Sequence, residues 1–288
     1  SLHDALPIWH PTETRVYVIA HLFSGRRRAG DVHERLHFWA QKAGLKILVL
    51  SLDTANSVTF GDLHHEAISW KNLLRLYQQG RISATITGAP CETWSAARHH
   101  IIQNEEANAG KRYPRPLRDR QRLFGRPYLT FKELKQLKQG TLFFMQMLMS
   151  VAWTLVTGGV YLSEHPAPPQ HPEAASIWLT PWIRLLCMHP DVTLHIVAQW
   201  KWGCSVSKPT GLLAVRLPRF AASMYSRQSV DAQKPSDTAI GVGPDGQFKT
   251  AAHKEYPPQF CDALAGTIID QIQFCQRRDM CTEVAGDL

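Results

Sequence analysis

Four short segments of this chain carry side chains able to do chemistry, and each follows an apolar, β-branched run: Phe23-Ser24-Gly25, Asp53, Gly88-Ala89-Pro90-Cys91 and Ser163-Glu164-His165-Pro166. A thiol such as Cys91 becomes a nucleophile once ionised. A carboxyl such as Glu164 gives or takes a proton according to how its surroundings set its pKa. Asp53 can accept hydrogen bonds from hydroxyls, and a glycine turn lets the backbone approach a ligand closely. Each residue also has a plain structural reading: Cys91 as a buried thiol beside a turn proline, Glu164 as a solvated strand-end carboxylate, and Asp53 as a cap on the next turn.

A second kind of chemistry is electrostatic. Between Lys111 and Lys138, ten Lys and Arg stand against Asp119 and Glu133 alone, a net +8 that equals the excess of the whole 288-residue chain. Tyr113, Phe124, Tyr128 and Phe131 interleave with the cations. Cations attract phosphates and aromatic rings stack on bases, so the segment reads as a nucleic-acid contact, with Arg112, Arg115, Arg118, Arg120, Arg122 and Arg126 as its predicted cationic residues. Arg26-Arg27-Arg28 adds a second cationic turn. A solvated loop is the alternative.

Composition bounds the rest. With 44% hydrophobic and 19% charged residues, the chain has the make-up of a globular protein, and disorder, collagen-like and disulfide-dense scaffolds are excluded. Its six cysteines show no C-x-x-C pair and no zinc-finger spacing, so no metal site is expected, and free thiols point to a reducing, intracellular compartment. The apolar run Leu142 to Val156 stops at Thr157-Gly158-Gly159, short of the roughly 20 residues of a membrane span. A buried helix, a turn and a new strand are expected there, and no membrane partner. Ser1 to Ile8 reads as a translated sequencing adapter, so residues 1–15 are expected to be disordered or artefactual.

Elements that would position these side chains follow from periodicity. Val16 to Phe23, Lys46 to Leu52 and Ile82 to Thr87 read as strands. Between them, Asp31 caps a helix with Val32, Leu36, Trp39 and Ala43 at helical spacing and Gly44 closing it, and a second helix is expected over 63–79. Farther on, helices are expected over 131–157, 173–187 and 258–275, with strands at 160–163, 192–199 and 211–217. Alternating strands and helices predict an α/β fold with a doubly wound, mostly parallel sheet, as a single domain over 16–275 with a basic insertion at 104–130, a loop at 226–250 and a tail at 276–288. In such sheets ligands bind beyond the carboxyl ends of the strands, where all four chemical segments fall.

Taken in order, these segments resemble the DNA cytosine-5 methyltransferase family. Leu22-Phe23-Ser24-Gly25 resembles the glycine turn after the first strand, Gly61-Asp62-Leu63 a Gly-Asp-Ile, and Gly88-Ala89-Pro90-Cys91-Glu92-Thr93-Trp94-Ser95 the family's nucleophile loop. Glu164 stands where the family has Glu-Asn-Val, and Glu255-Tyr256-Pro257-Pro258 resembles its closing motif. The resemblance spans roughly residues 16 to 275 and implies a Rossmann-like methyltransferase fold with S-adenosylmethionine as cofactor. It implies that Phe23, Ser24 and Gly25 wrap the methionine part, Asp53 receives the ribose hydroxyls, Asp62 lies near the adenine, and Pro90 belongs to the same site. Cys91 would attack carbon 6 of cytosine, with its thiolate favoured by a helix starting just after it, and Glu164 would protonate ring nitrogen 3. The target base would have to leave the duplex.

Two departures stand out. Arg26-Arg27-Arg28-Ala29-Gly30 replaces a glycine-rich stretch, and Trp202 to Pro209 replaces a Gln-x-Arg-x-Arg element, with Lys208 its only cation. Two functions follow as expectations. One is methyl transfer to cytosine carbon 5 in a nucleic acid, DNA rather than RNA, placing the protein in the nucleus if DNA is the substrate. The other is a non-catalytic nucleic-acid-binding module of a larger mobile-element polyprotein.

Overall fold

Alternating apolar strands and amphipathic helices build one six-stranded sheet in a computed structural model that describes residues 15–99, 114–238 and 254–286, with Ile240 and Lys249 between. The residues expected to be foreign, up to Ile8, and the first part of the basic insertion, including Arg112 and Tyr113, lie outside the described residues. The chain runs β1 (Val16–Leu22), α1 (Val32–Ala43), β2 (Lys46–Leu52), α2 (Ile68–Gln78), β3 (Ile82–Thr87), α3 (Phe131–Thr157), β4 (Val160–Pro166), α4 (Pro181–Leu186), β5 (Val192–Ala198), β6 (Pro209–Val215), α5 (Phe220–Tyr225) and α6 (Pro258–Gly286).

Strand order is β2-β1-β3-β4-β6-β5. The β1–β2, β1–β3 and β3–β4 ladders are parallel, as expected for the strands that end at Leu22, Leu52, Thr87 and near Ser163. β6 runs antiparallel to both β4 and β5, so the sheet is mixed and the mostly parallel expectation holds for its first half alone. The cause is the length of the β5–β6 connection. Residues 199–208 hold one turn of 3₁₀ helix, Gln199–Trp202, whereas a parallel return needs a crossover of a dozen or more residues.

Local signals set most of the helix ends. Asp31 accepts from the Glu34 amide to start α1, and Gly44 ends it at φ 68°. Thr130 and Glu133 form a reciprocal capping box at the start of α3, and Gly158 closes it with φ 80°, where the apolar run was expected to stop. Two helices differ from expectation. α2 begins at Ile68 and not at 63, because the Gly61 and His64 amides are taken by Ser57 O and Asp62 Oδ1 in turns. The helix expected over 173–187 is a 3₁₀ turn, Ile177–Leu179, followed by α4, broken where Thr180 caps and Pro181 opens the new helix. α6 continues past Cys275 to Gly286.

Both sheet faces are covered. On one, Ile19, Leu36, Ala84, Leu162, Phe260, Leu264 and Ile268 join α1 and α6 to the strands. On the other, Phe144, Met147, Val151, Trp178 and Leu213 pack α3 and the α4 region against β4 and β6. α3, with 27 residues, is long and apolar enough to cross a membrane by length and composition, and its Leu137, Phe144, Met147 and Val151 are buried inside the fold.

Phe260 is fully buried, with ring centroids 5.6 Å from Trp202 and 5.5 Å from Tyr256. It ties α6 to the β5–β6 connection and to the residues around Glu164. Phe260→Ala is expected to lower stability by about 3–5 kcal/mol through lost contact and the cavity left behind, read as an earlier urea midpoint. A midpoint within error of wild type would show that α6 is not part of the cooperative core.

Candidate functional site

The carboxyl ends of β1 and β2 are laced together by backbone and side-chain hydrogen bonds. The Phe23 amide donates to Leu52 O at 2.9 Å, and Phe23 itself sits at φ 54°, unusual for a residue with a bulky side chain. Asp53 Oδ2 accepts from the Gly25 amide at 2.9 Å, and its Oδ1 from the Ala55 amide at 2.8 Å. Gly25, at φ 68°, supplies the left-handed conformation this turn needs. Asn56 Nδ2 donates to Ser24 Oγ and Gly25 O, at 3.1 and 2.7 Å. Asp53 thus fixes the β1 turn, a role in which each oxygen keeps a free lone pair.

Next to this lacing lies a cavity of about 150 Å³ lined by Phe23, Asp53, Asp62 and Pro90, four of the residues expected to bind a cofactor. α3 adds Gln139 and Phe143 to its wall, and the Phe143 ring centroid is 5.0 Å from that of Phe23. Two aromatic rings and two carboxylates suit a flat base bearing hydroxyl and amine groups. The volume is below the roughly 300 Å³ at which ordinary ligand pockets begin, so it suits one end of a cofactor. Gln139 and Phe143 were not anticipated. A signal existed in Phe143-Phe144, because neighbours on a helix point about 100° apart and cannot both face one core.

Glu164 stands inside β4, not after it. The parallel ladder with β3 ends at Thr87 and Ser163, but β6 carries β4 three residues further, pairing Glu164 with Leu212. The side chain is 9% exposed and burial pushes its pKa up, against opposing effects of Lys208, Tyr256 and Thr210. Tyr256 Oη donates to Glu164 Oε2 at 2.8 Å, and Gln199 Nε2 donates to Oε1 at 3.2 Å. Gln199 is held in turn by Thr210 Oγ1 at 2.9 Å. Lys208 Nζ lies 5.4 Å from the Tyr256 ring centroid.

Cys91 shares this site. Its thiol is pushed up to about 11, by burial first and then by the negative charges of Glu164 and Glu92, against Lys208. The expected thiolate-stabilising helix does not follow it. The Trp94 amide closes a turn on Cys91 O at 2.9 Å, and a 3₁₀ turn at Ala96–His99 comes next. Opposite the loop, a Cβ at Gly88 would meet Tyr256 Oη at 2.6 Å, so glycine leaves room for the tyrosine to reach Glu164. Tyr256, read from sequence as part of a closing motif, bridges the acid and the thiol loop. Among the described residues no three His, Cys, Asp or Glu side chains are grouped closely enough to hold a metal ion.

The basic insertion is not uniformly a contact surface. Arg118 is 1% exposed, which removes it from the expected nucleic-acid residues. Its guanidinium lies 4.0 Å from the Trp94 ring centroid and donates to Thr93 Oγ1, Leu123 O, Leu137 O and Thr141 Oγ1. A planar five-donor fork can satisfy that many acceptors at once, so Arg118 fastens the insertion and α3 to the loop after Cys91. Arg115 pairs with Glu133, and Arg122 and Arg126 pair with Asp119. Arg120 is exposed. In the Arg26-Arg27-Arg28 turn, Arg27 pairs with Asp31 and Arg28 with Glu255 and Tyr256 O.

The sequence matches no protein-family profile and no curated protein. In three dimensions it is similar to the crystal structure of the S. pombe Dnmt2 methyltransferase, with TM-score 0.36 and 11% identity over 78% of this chain and 57% of that one. It is also similar to a putative DNA modification methyltransferase encoded within an E. coli prophage, with TM-score 0.31 and 12% identity over 69% and 46% of the two chains. The chain spans about half the length of these two proteins.

The raised, buried Cys91 thiol is not expected to be the fastest of the cysteines to alkylate. Exposed Cys275 should react with iodoacetamide sooner at neutral pH. Glu164→Gln removes a neighbouring negative charge, which lowers the Cys91 pKa, so above neutral pH Cys91 should react faster in the variant than in wild type. Equal Cys91 rates in the two proteins would mean that thiol and carboxyl do not share a site.

Proposed function

We propose that this protein transfers a methyl group from S-adenosylmethionine to cytosine carbon 5 in a nucleic acid. One observation carries the reading: a cysteine thiol and a buried carboxyl of raised pKa share one rim of the mixed sheet, next to a cavity lined by Phe23, Asp53, Asp62 and Pro90. Carbon 5 of cytosine is a weak nucleophile until a nucleophile adds at carbon 6. Cys91 Sγ would form that bond as its thiolate, and the electrons displaced onto the ring would be met at nitrogen 3 by the Glu164 proton. After methylation, loss of the carbon 5 proton would restore the 5,6 double bond and expel Cys91 Sγ, and nitrogen 3 would return its proton. A carboxyl whose pKa burial raises takes up a proton more readily than an exposed one and is suited to protonating nitrogen 3. Both its oxygens now accept hydrogen bonds, so the donated proton would replace the longer contact, that from Gln199 at 3.2 Å.

The residues present fit the adenosine end of the cofactor. Phe23 and Phe143 offer faces to the base, and Asp53 and Asp62 offer acceptors to its hydroxyls and amine. Bound there, the cofactor would supply an electrophilic methyl group on a sulfonium sulfur. Tyr256 would position Glu164, and Lys208 would hold negative charge near the same atoms.

The raised Cys91 thiol favours a second reading, a nucleic-acid-binding module without catalysis. Methyl transfer requires substrate or cofactor to lower that pKa.

Calorimetric titration with S-adenosylmethionine and transfer of labelled methyl to DNA and RNA test the proposal. Wild type should bind cofactor and methylate cytosine, Cys91→Ser should bind cofactor without transfer, and Glu164→Gln should keep binding with transfer lowered about 10²-fold or more. Asp53→Ala should weaken cofactor binding by about 1.5–3 kcal/mol through the lost charged acceptor, and more if the Gly25 turn loosens. Absence of cofactor binding at millimolar concentration would sink the enzyme reading and leave the binding module.

A further inference from the structure

We infer that the surface formed by Tyr128 and the first turns of α3 binds an unpaired strand of nucleic acid. The inference rests on the nucleic-acid part of the reading above and adds which face meets the strand and in what form. Tyr128 lies at φ 59°, a left-handed conformation that a bulky side chain rarely adopts, and its side chain is 93% exposed. Phe131, three residues on, is 86% exposed. Rings left in water add nothing to the core, so the strained backbone at Tyr128 has no return in burial.

That backbone is nonetheless held firmly. Arg115 Nη2 donates to Tyr128 O at 2.6 Å, and the same guanidinium grips both Glu133 oxygens, at 2.6 and 2.7 Å. Glu133 Oε2 in turn accepts from the Thr130 amide at 2.8 Å. The arrangement holds an aromatic ring outward on a fixed frame.

Charge falls on the same face. Phe131, Lys135 and Lys138 recur at i, i+4 and i+7, one side of α3, with Lys132 beside Phe131. All three lysines are exposed and make no ion pair among the described residues, whereas Arg115, Arg122 and Arg126 are paired with acids and Arg118 is buried. Apart from exposed Arg120, the cations of the described basic segment that have no acidic partner therefore lie beside its two most exposed rings. Phosphates of any nucleic acid would meet the lysines. In a duplex the base faces stack on one another, so a ring can take a base face only from an unpaired strand.

Fluorescence anisotropy with a labelled oligothymidine of about 12 nucleotides, and with a duplex of the same length, tests this on the full chain. Wild type should bind the single strand about tenfold more tightly than the duplex. Tyr128→Ala with Phe131→Ala should weaken single-strand binding by about tenfold per ring and leave duplex binding unchanged, while Tyr128→Phe should keep wild-type affinity. Lys132→Ala with Lys135→Ala should lower the salt slope by about 0.7 per lysine. Both sites are on the surface, and matching thermal midpoints of the variants establish that the fold is intact. Equal affinity for the two forms, or ring variants that bind like wild type, would overturn the inference. Titration of the same samples with S-adenosylmethionine separates the two readings. Cofactor binding without strand preference overturns this surface alone, and strand preference without cofactor binding supports it while removing methyl transfer.

Discussion

The burial of Glu164 is the constraint on which the site depends. A carboxyl taken out of water favours its neutral form, and here burial outweighs a lysine, a tyrosine hydroxyl and a threonine, all of which favour the charge. The fold achieves this by placing the antiparallel strand β6 beside β4, which extends β4 past the end of its parallel neighbour. In an all-parallel sheet position 164 would be a strand end open to solvent. Tyr256 then covers the acid from the start of α6, and Gly88 makes room for it. Strand, helix and thiol loop meet at one carboxyl, whose negative form in turn raises the Cys91 thiol.

Arg118 does for the insertion what Glu164 does for the sheet. A buried guanidinium is costly unless its donors are satisfied, and four acceptors together with the Trp94 ring satisfy it. Removing one side of such an arrangement leaves a charge without partners, which is why it acts as a fastener. Burial pulls its pKa down to about 10, which leaves it charged at neutral pH while it holds the loop after Cys91 to α3. The basic segment therefore has two layers, an inner cation that is structural and an outer lysine face in solvent.

Two bulky residues sit at positive φ beside these layers, Phe23 at 54° and Tyr128 at 59°. Each is clamped by hydrogen bonds to its backbone, Phe23 through its amide to Leu52 and Tyr128 through its carbonyl to Arg115. Phe23 turns its ring to a cavity wall against Phe143, and Tyr128 turns its ring to water. Strain of about 1–3 kcal/mol per such residue persists only where surrounding structure over-determines it.

Much of this was legible from the chain itself. Asp31, Gly44 and Gly158 carry their helix ends in local hydrogen bonds and left-handed turns, and the strands of β1, β2 and β3 in runs of apolar residues, so their positions needed no distant partner. Clustering of Phe23, Asp53 and Pro90 followed from one rule, that strand carboxyl ends share a rim, whereas Asp62 was singled out by the family resemblance alone. What only the tertiary structure decided was the environment of each side chain. Cys91 has a suitable turn in front of it, yet its pKa is raised by burial in the folded chain and then by the charge of Glu164, 73 positions away in sequence. Arg118 is indistinguishable in type from Arg120, and burial against Trp94, not sequence, separates the fastener from the solvent-facing cation. Secondary structure is written in neighbours within a few residues, whereas desolvation and charge depend on distances that exist only after the chain has folded.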